Sequence, residues 1–185
     1  MVENLIHGLP EQFLINDDDP LNGTKKVYYP NGKIMKEYIV KNGKLDGSYK
    51  FYNESGILLT DQNFRNGMPD GYFKSYYENG QLQADLNLKE GLPQGVSKEY
   101  YENGTLKKES NLTGEPFELS GKSISYFENG KVDTEITTSR GKLVYSISYD
   151  LEGRVTREDS EGKSISYWYE NNGKKHVVIN GVPQD

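Results

Sequence analysis

The chain has 185 residues, no cysteine, a net charge of −6, 34% hydrophobic residues and 15 tyrosines. The aromatic content excludes a disordered chain despite the hydrophilic average, and no apolar run nears the ~20 residues that span a bilayer as a helix. The acidic balance opposes general binding to nucleic acid or anionic membrane, since both select basic surfaces.

In chain order, residues 1–19 fall outside any repeat and read as an N-terminal cap followed by an acidic connector, Asp17-Asp18-Asp19. Met1–Phe13 has neither the basic region nor the long apolar region of a signal peptide. Together with the absence of cysteine, this makes the cytoplasm the expected location.

Residues 20–112 form a regular array with a 24-residue period. Gly32, Gly56, Gly80 and Gly104 keep that step, as do Tyr28, Tyr52, Tyr76 and Tyr100. Lys26, Lys50, Lys74 and Lys98 keep it too, as do the acids Glu37, Asp61, Asp85 and Glu109. Such periodicity marks a repeat architecture in which each unit is one supersecondary element. Asn-Gly between alternating segments is the strongest short hairpin signal. Each unit therefore reads as a hairpin, for example a strand from Tyr72 to Tyr77, a turn at Glu78-Asn79-Gly80 and a strand from Gln81 to Lys89. A loop, Gly91-Leu-Pro-Gln-Gly95, should follow, its glycines supplying positive φ. Residues 113–185 break register while keeping the theme, with Tyr126-Phe-Glu-Asn-Gly130, Tyr149-Asp-Leu-Glu-Gly153 and a last hairpin through Tyr167-Trp168-Tyr169 with a longer turn. Three segments there echo one another: Ser123-Ile-Ser-Tyr126, Ser146-Ile-Ser-Tyr149 and Ser164-Ile-Ser-Tyr167. The expected fold is all-β: an elongated, twisted single antiparallel sheet of six to seven consecutive hairpins.

Two arguments give different registers for the turn. A two-residue Asn-Gly loop places Lys26 opposite Glu37, Lys50 opposite Asp61, Lys74 opposite Asp85 and Lys98 opposite Glu109, a ladder of favourable cross-strand pairs. Pro30 before Asn31-Gly32 favours instead a type I turn with a left-handed Gly bulge. That three-residue loop sets Tyr28 beside Ile34, Tyr52 beside Leu58, Tyr76 beside Leu82 and Tyr100 beside Leu106. It gathers a Tyr/Leu stripe, extended by Val40, Phe64, Leu88 and Leu112, on one face, and is preferred for that reason.

The pattern Tyr76-Tyr77-Glu78-Asn79-Gly80-Gln81-Leu82 with Gly91 and Gly95, repeated one unit either side, resembles the MORN-repeat variant of many bacterial proteins. The resemblance covers about residues 21–179 and is sharpest within 21–112. It implies a twisted sheet of successive hairpins. It also implies a binding role, since many members of this size look like the antitoxin or immunity half of a toxin pair and others are scaffolds or membrane-associated.

Chemistry has little support in the residues. His7 and His176 form no cluster with cysteines or acids at metal-ligand spacing, and Asp17-Asp18-Asp19 lacks the calcium-loop pattern. The row Glu37, Asp61, Asp85, Glu109, Glu135 and Glu158 repeats in every unit, as scaffold positions do. No catalytic residue, metal or cofactor is expected. Tyrosines standing on a sheet make a protein-binding surface. The candidate partner-binding residues are Tyr77, Tyr101, Phe127, Trp168 and Tyr169, with Glu128, Glu135 and Glu158. The expected partner is a cognate toxin, basic and nuclease-like, with no direct nucleic-acid contact and no transmembrane segment. A homodimer through the open sheet edges is also compatible. A structural or membrane-surface scaffold and a carbohydrate or cell-wall module are the alternatives.

Overall fold

The computed structural model describes residues 21–114, 118–180 and 182–184. The cap and acidic connector assigned to residues 1–19, and His7 among them, lie outside the described residues. The described residues hold no helix and form one 15-stranded antiparallel sheet in which every strand pairs only with its neighbours in sequence. The strands are β1 (Gly23–Tyr28), β2 (Ile34–Lys41), β3 (Lys44–Tyr52), β4 (Leu58–Arg65) and β5 (Met68–Tyr76), followed by β6 (Leu82–Lys89), β7 (Leu92–Tyr100), β8 (Leu106–Thr113), β9 (Ser120–Tyr126) and β10 (Val132–Ser139). The C-terminal end is built from β11 (Lys142–Tyr149), β12 (Val155–Ser160), β13 (Lys163–Tyr169), β14 (Lys175–Ile179) and β15 (Val182–Gln184). Among the described residues, only Val27, Met35 and Phe64 are buried apolar side chains. A single layer has no interior, so stability accumulates from nearest-neighbour contacts along one dimension.

Two turn types alternate along the regular array. At the wide turn, Tyr77 N–H donates to Gln81 O and Gly80 N–H to Tyr77 O, which closes three residues, Glu78-Asn79-Gly80, with Gly80 left-handed at φ 83°. The same pair of bonds recurs at Tyr29/Lys33, Asn53/Ile57, Tyr101/Thr105, Phe127/Lys131, Asp150/Arg154 and Glu170/Lys174. The last turn is therefore not longer than the others, contrary to the sequence reading. At the narrow turn two residues suffice: Asn42 and Gly43 have φ of 51° and 72°, as do Asn66-Gly67 and Glu90-Gly91 with similar values. Positive φ at both central positions is the type I′ geometry that matches strand twist.

The expected inter-unit loop Gly91–Gly95 is corrected accordingly. Glu90-Gly91 is the whole turn, and Leu92 onward is already β7. Gly95 sits within that strand at φ 72°, beside a register shift between Asp85 and Asn87 of the partner strand. The glycine relieves a bulge rather than a loop.

The two competing registers both occur. Tyr28 pairs with Ile34 through the three-residue loop, and Lys26 pairs with Glu37 as a two-residue loop would require. One extra residue in the second strand reconciles them, since Val27 already faces Lys36 and Met35 is left over. The same shift recurs between Phe51 and Tyr52, Ser75 and Tyr76, and Glu99 and Tyr100. A bulge of one residue reverses the alternation of side chains beyond it. It therefore overturns the predicted stripe: Val40, Phe64, Leu88 and Leu112 lie on the opposite face from the Tyr/Leu pairs. The tyrosines share their face with the Lys/acid ladder instead.

Candidate binding surface

The wide-turn margin is wired from unit to unit by the motif itself. Tyr29, Tyr77 and Tyr101 donate their hydroxyls to the carbonyls of Tyr52, Tyr100 and Tyr126, each at 2.7 Å. Asn31 and Asn79 donate from Nδ2 to Glu54 O and Glu102 O at 3.0 Å. Within its own turn the Asn Oδ1 accepts from the N–H two residues on, as at Asn79 and Gln81 (2.9 Å). Where Asn-Gly is lost, an Asn or Asp two residues earlier does this work. Asn53 accepts from Ser55 and Ile57, and Asp150 from Glu152 and Arg154. Such side-chain-to-backbone bonds are the reason Asx residues dominate turns.

The ladder face carries a row of residues across successive strands. In the first eight strands its charges alternate: Lys26–Glu37 at 3.3 Å, Lys50–Asp61 at 3.7 Å, Lys74–Asp85 at 3.4 Å and Lys98–Glu109 at 3.3 Å. Glu37 faces Lys50, Asp61 faces Lys74 and Asp85 faces Lys98, so each inner charge has opposite neighbours on both sides. From β9 onward the lysine position is isoleucine. Glu109 faces Ile124, Glu135 lies between Ile124 and Ile147, and Glu158 lies between Ile147 and Ile165.

Tyrosines frame this second stretch on the same face. Tyr149 donates its hydroxyl to Glu135 Oε1 at 3.0 Å, and Tyr167 donates to Glu158 Oε1 at 3.2 Å. Lys122 pairs with Glu135, and its hydrogen bond leads the effects holding that carboxyl below the usual range. Among the described residues, Glu158 is the one acid of the row without an ion pair. Burial first, and then the Glu158 charge, push the phenols of Tyr145 and Tyr167 up. Lys175 Nζ sits 3.7 Å from the Tyr167 ring centroid.

The reverse face shows the opposite trend. In the first half it is aromatic, with Tyr38–Tyr49 at 6.1 Å and Tyr49–Phe64 at 5.8 Å between centroids. Phe51 and Phe73 line a shallow depression beside them, with Leu59, Thr60 and Gln83. From β7 onward it turns hydroxylic: Ser97 faces Ser110, Ser123 Oγ meets Ser110 Oγ at 2.8 Å, and Ser146 Oγ meets Asp159 Oδ2 at 3.4 Å. The reverse face thus gives up its aromatics at β7, two strands before the ladder face gives up its lysines at β9.

The sequence candidates are dispersed by the fold. Tyr77 and Tyr101 lie at the wide-turn margin with their hydroxyls engaged between units. Phe127 occupies the equivalent position without a hydroxyl, and Glu128 is exposed at that turn. Trp168 is 53% exposed on the reverse face and stacks on His176 at 3.7 Å and 3°. His176 in turn meets Glu170 at 2.7 Å. Tyr169 donates to Val155 O at 3.0 Å under the Arg154 guanidinium. Tyr77, Tyr101, Phe127 and Glu128 thus share the wide-turn margin, whereas Glu135 and Glu158 share the ladder face, and the residues that complete that patch, Ile124, Tyr145, Ile147, Tyr149, Ile165 and Tyr167, were not singled out. For all but Tyr145 the signal was the Ser-Ile-Ser-Tyr echo, which places Ile and Tyr on one face and both serines on the other.

No group of His, Cys, Asp and Glu among the described residues could hold a metal ion, and no described helix could cross a membrane. Five segments, residues 21–42, 45–66, 69–90, 93–112 and 119–140, match the MORN repeat variant. The chain belongs to the MORN repeat variant family. MORN repeats are protein- and membrane-binding modules, not typically catalysts. No curated protein matches the chain. The family match stops at residue 140, whereas the MORN-type hairpins continue through β14 with the same wide turns.

Proposed function

We propose that the chain is a non-enzymatic protein-binding repeat module, and specifically an antitoxin or immunity protein that neutralises a cognate toxin in the cytoplasm by covering its working surface. The observation that carries the binding role is the change along the ladder face. A charge row that satisfies itself in the first eight strands becomes an isoleucine, tyrosine and carboxylate surface in the next five. Depletion of charge with enrichment of tyrosine is the composition of an interface core. The preference for a basic, nuclease-like target rests on charge placement. Glu3, Glu11, Asp17, Asp18 and Asp19 precede the first basic residue, Lys25, so nearly all of the net −6 belongs to the segment ahead of a nearly neutral sheet. An acidic leading segment steers a basic partner and speeds encounter.

Co-expression with the product of the adjacent gene tests the assignment. A stable co-purifying complex and rescue of growth are expected. A neighbour that neither binds nor harms cells sinks the antitoxin assignment. Salt-sensitive binding to anionic liposomes would favour a membrane-surface scaffold, and hits on a glycan array a carbohydrate module.

A further inference from the structure

We propose that the ladder face over β9–β13 receives an amphipathic α-helix of a partner protein, lying across the strands and carrying Lys or Arg at every seventh residue. The inference rests on the protein-binding reading above and names the shape and chemistry of the partner. It starts from the row Ile124, Glu135, Ile147, Glu158, Ile165, one residue per strand. Adjacent strands are ~4.8 Å apart, so apolar and acidic positions alternate at that step and the two carboxylates are ~10 Å apart. A helix laid along the row advances ~5 Å between residues three or four apart and ~10.5 Å over seven. Leu and Lys alternating at heptad spacing therefore meet Ile and Glu in phase.

The other occupants fit less well. An extended segment presents same-face side chains every ~6.6 Å, out of step with the row. A second copy related by a two-fold axis through Ile147 would set Glu135 against Glu158 of the other copy, a like-charge contact that disfavours pairing. The cation sought is defined by Glu158, which lacks an ion pair among the described residues and accepts from Tyr167 Oη at 3.2 Å. Glu135 is already shared with Lys122 and Tyr149, so a partner cation there joins an existing pair. Tyr145, 37% exposed, stands on the same face beside the row and supplies rigid contact area.

The probe is a fluorescent synthetic 21-residue peptide with Lys at the a positions and Leu at the d positions of three heptads, titrated against the full chain by anisotropy. A scrambled peptide and a strand-forming peptide of strictly alternating Lys and Leu are the controls. Binding of the heptad peptide should exceed both controls. Glu158→Gln, which keeps a hydrogen-bond acceptor for Tyr167, should weaken it about tenfold. The double change Ile147→Lys and Ile165→Lys, which copies the first-half ladder, should weaken it at least as much. Asp85→Asn, in the first half, should leave it unchanged. Circular dichroism confirms that each variant keeps its sheet. Absent binding, equal binding of either control, or unchanged affinity in Glu158→Gln overturns the inference. So does a dimer in sedimentation that Ile147→Lys dissociates. The co-expression assay reads the parent proposal separately, because it uses the native partner and every surface of the chain.

Discussion

The first eight strands and the next five are built on one backbone template and carry two different surfaces. In both halves the wide turn closes three residues with a left-handed glycine, and in both a pair of Tyr with Ile, Leu or Val flanks it, from Tyr28–Ile34 to Tyr149–Val155. In the first half the middle of the ladder face is charge-compensated and the aromatic weight lies behind. In the second half isoleucines replace the lysines, and behind them the serines that begin at Ser97 and Ser110 continue through Ser123, Ser146 and Ser164. The turn chemistry that sets the fold is thus separable from the mid-strand chemistry that sets the surface. A repeat sheet can change what it presents without changing how it is made.

The largest expected effect separates the two halves by their glycines. In β9, Gly121 has φ 146°, and a Cβ there would press on the Asn111 carbonyl oxygen and Leu112 Cα. Gly121→Ala should cost about 2–4 kcal/mol, since backbone must move to relieve it. Gly95, at φ 72°, has nothing within 4 Å of an added Cβ. Gly95→Ala should cost only about 1 kcal/mol for the left-handed conformation. Chemical denaturation of the two variants measures the contrast, and equal costs would contradict it.

Next come the hydroxyls at the wide-turn margin. Tyr77→Phe removes one hydrogen bond between units and should cost about 0.5–1.5 kcal/mol. Phe127 is the natural counterpart lacking that hydroxyl. Phe127→Tyr should stabilise by up to about 1 kcal/mol if the second half can close the same bond to the following unit. Opposite signs in thermal unfolding are the expected outcome.

Exchanging the ladder chemistry should affect stability least. Lys74 and Asp85 are each 40% exposed, so Lys74→Ile should shift stability by no more than about 0.5 kcal/mol. The measurable change is salt dependence, which should diminish in the variant because one screened pair is gone. In the second half, Lys122→Ala should return the Glu135 carboxyl toward its ordinary value, as followed by NMR titration. A folded-state value lowered below the unfolded one gives a contribution that is full above the ordinary carboxylate range and is lost as pH falls through the lowered value. The wild-type chain should therefore lose this contribution at a lower pH than the ordinary Glu value of 4.5 would suggest.

The repeat, the hairpins and the wide-turn positions were legible in the residues, because Asn-Gly marks places where only a few residue types fit; the narrow turn was misjudged because the Gly95 ladder marks a strand bulge and not a loop end. The bulge was not, because the extra residue is Met35 in one unit and Leu59, Gln83 and Lys107 in the next three. No side-chain chemistry unites these positions. Two pairings that seem incompatible were the only sign of it: when Lys26–Glu37 and Tyr28–Ile34 both make sense, one residue must be spare. The second-half surface stayed hidden for a related reason. Ile124 stands where the lysine of each earlier unit stood, but the count of 24 fails between residues 104 and 130, so the substitution is visible only once strands are paired. The acidic balance of the whole chain is likewise uninformative about the sheet, since most of it belongs to residues 1–19.

Among the described residues, every strand pairs only with the strand before it and the strand after it, and the hydroxyl bonds at the margin reach no farther than 25 residues along the chain. A molecule wired in this way has no keystone. Pulled from its two ends, it should come apart one strand at a time in a train of small events, and each intermediate should remain a shorter working copy of the whole. Insertion of one more 24-residue unit between β4 and β5 should disturb nothing beyond the strands it touches, which makes length itself the easiest property of this protein to change.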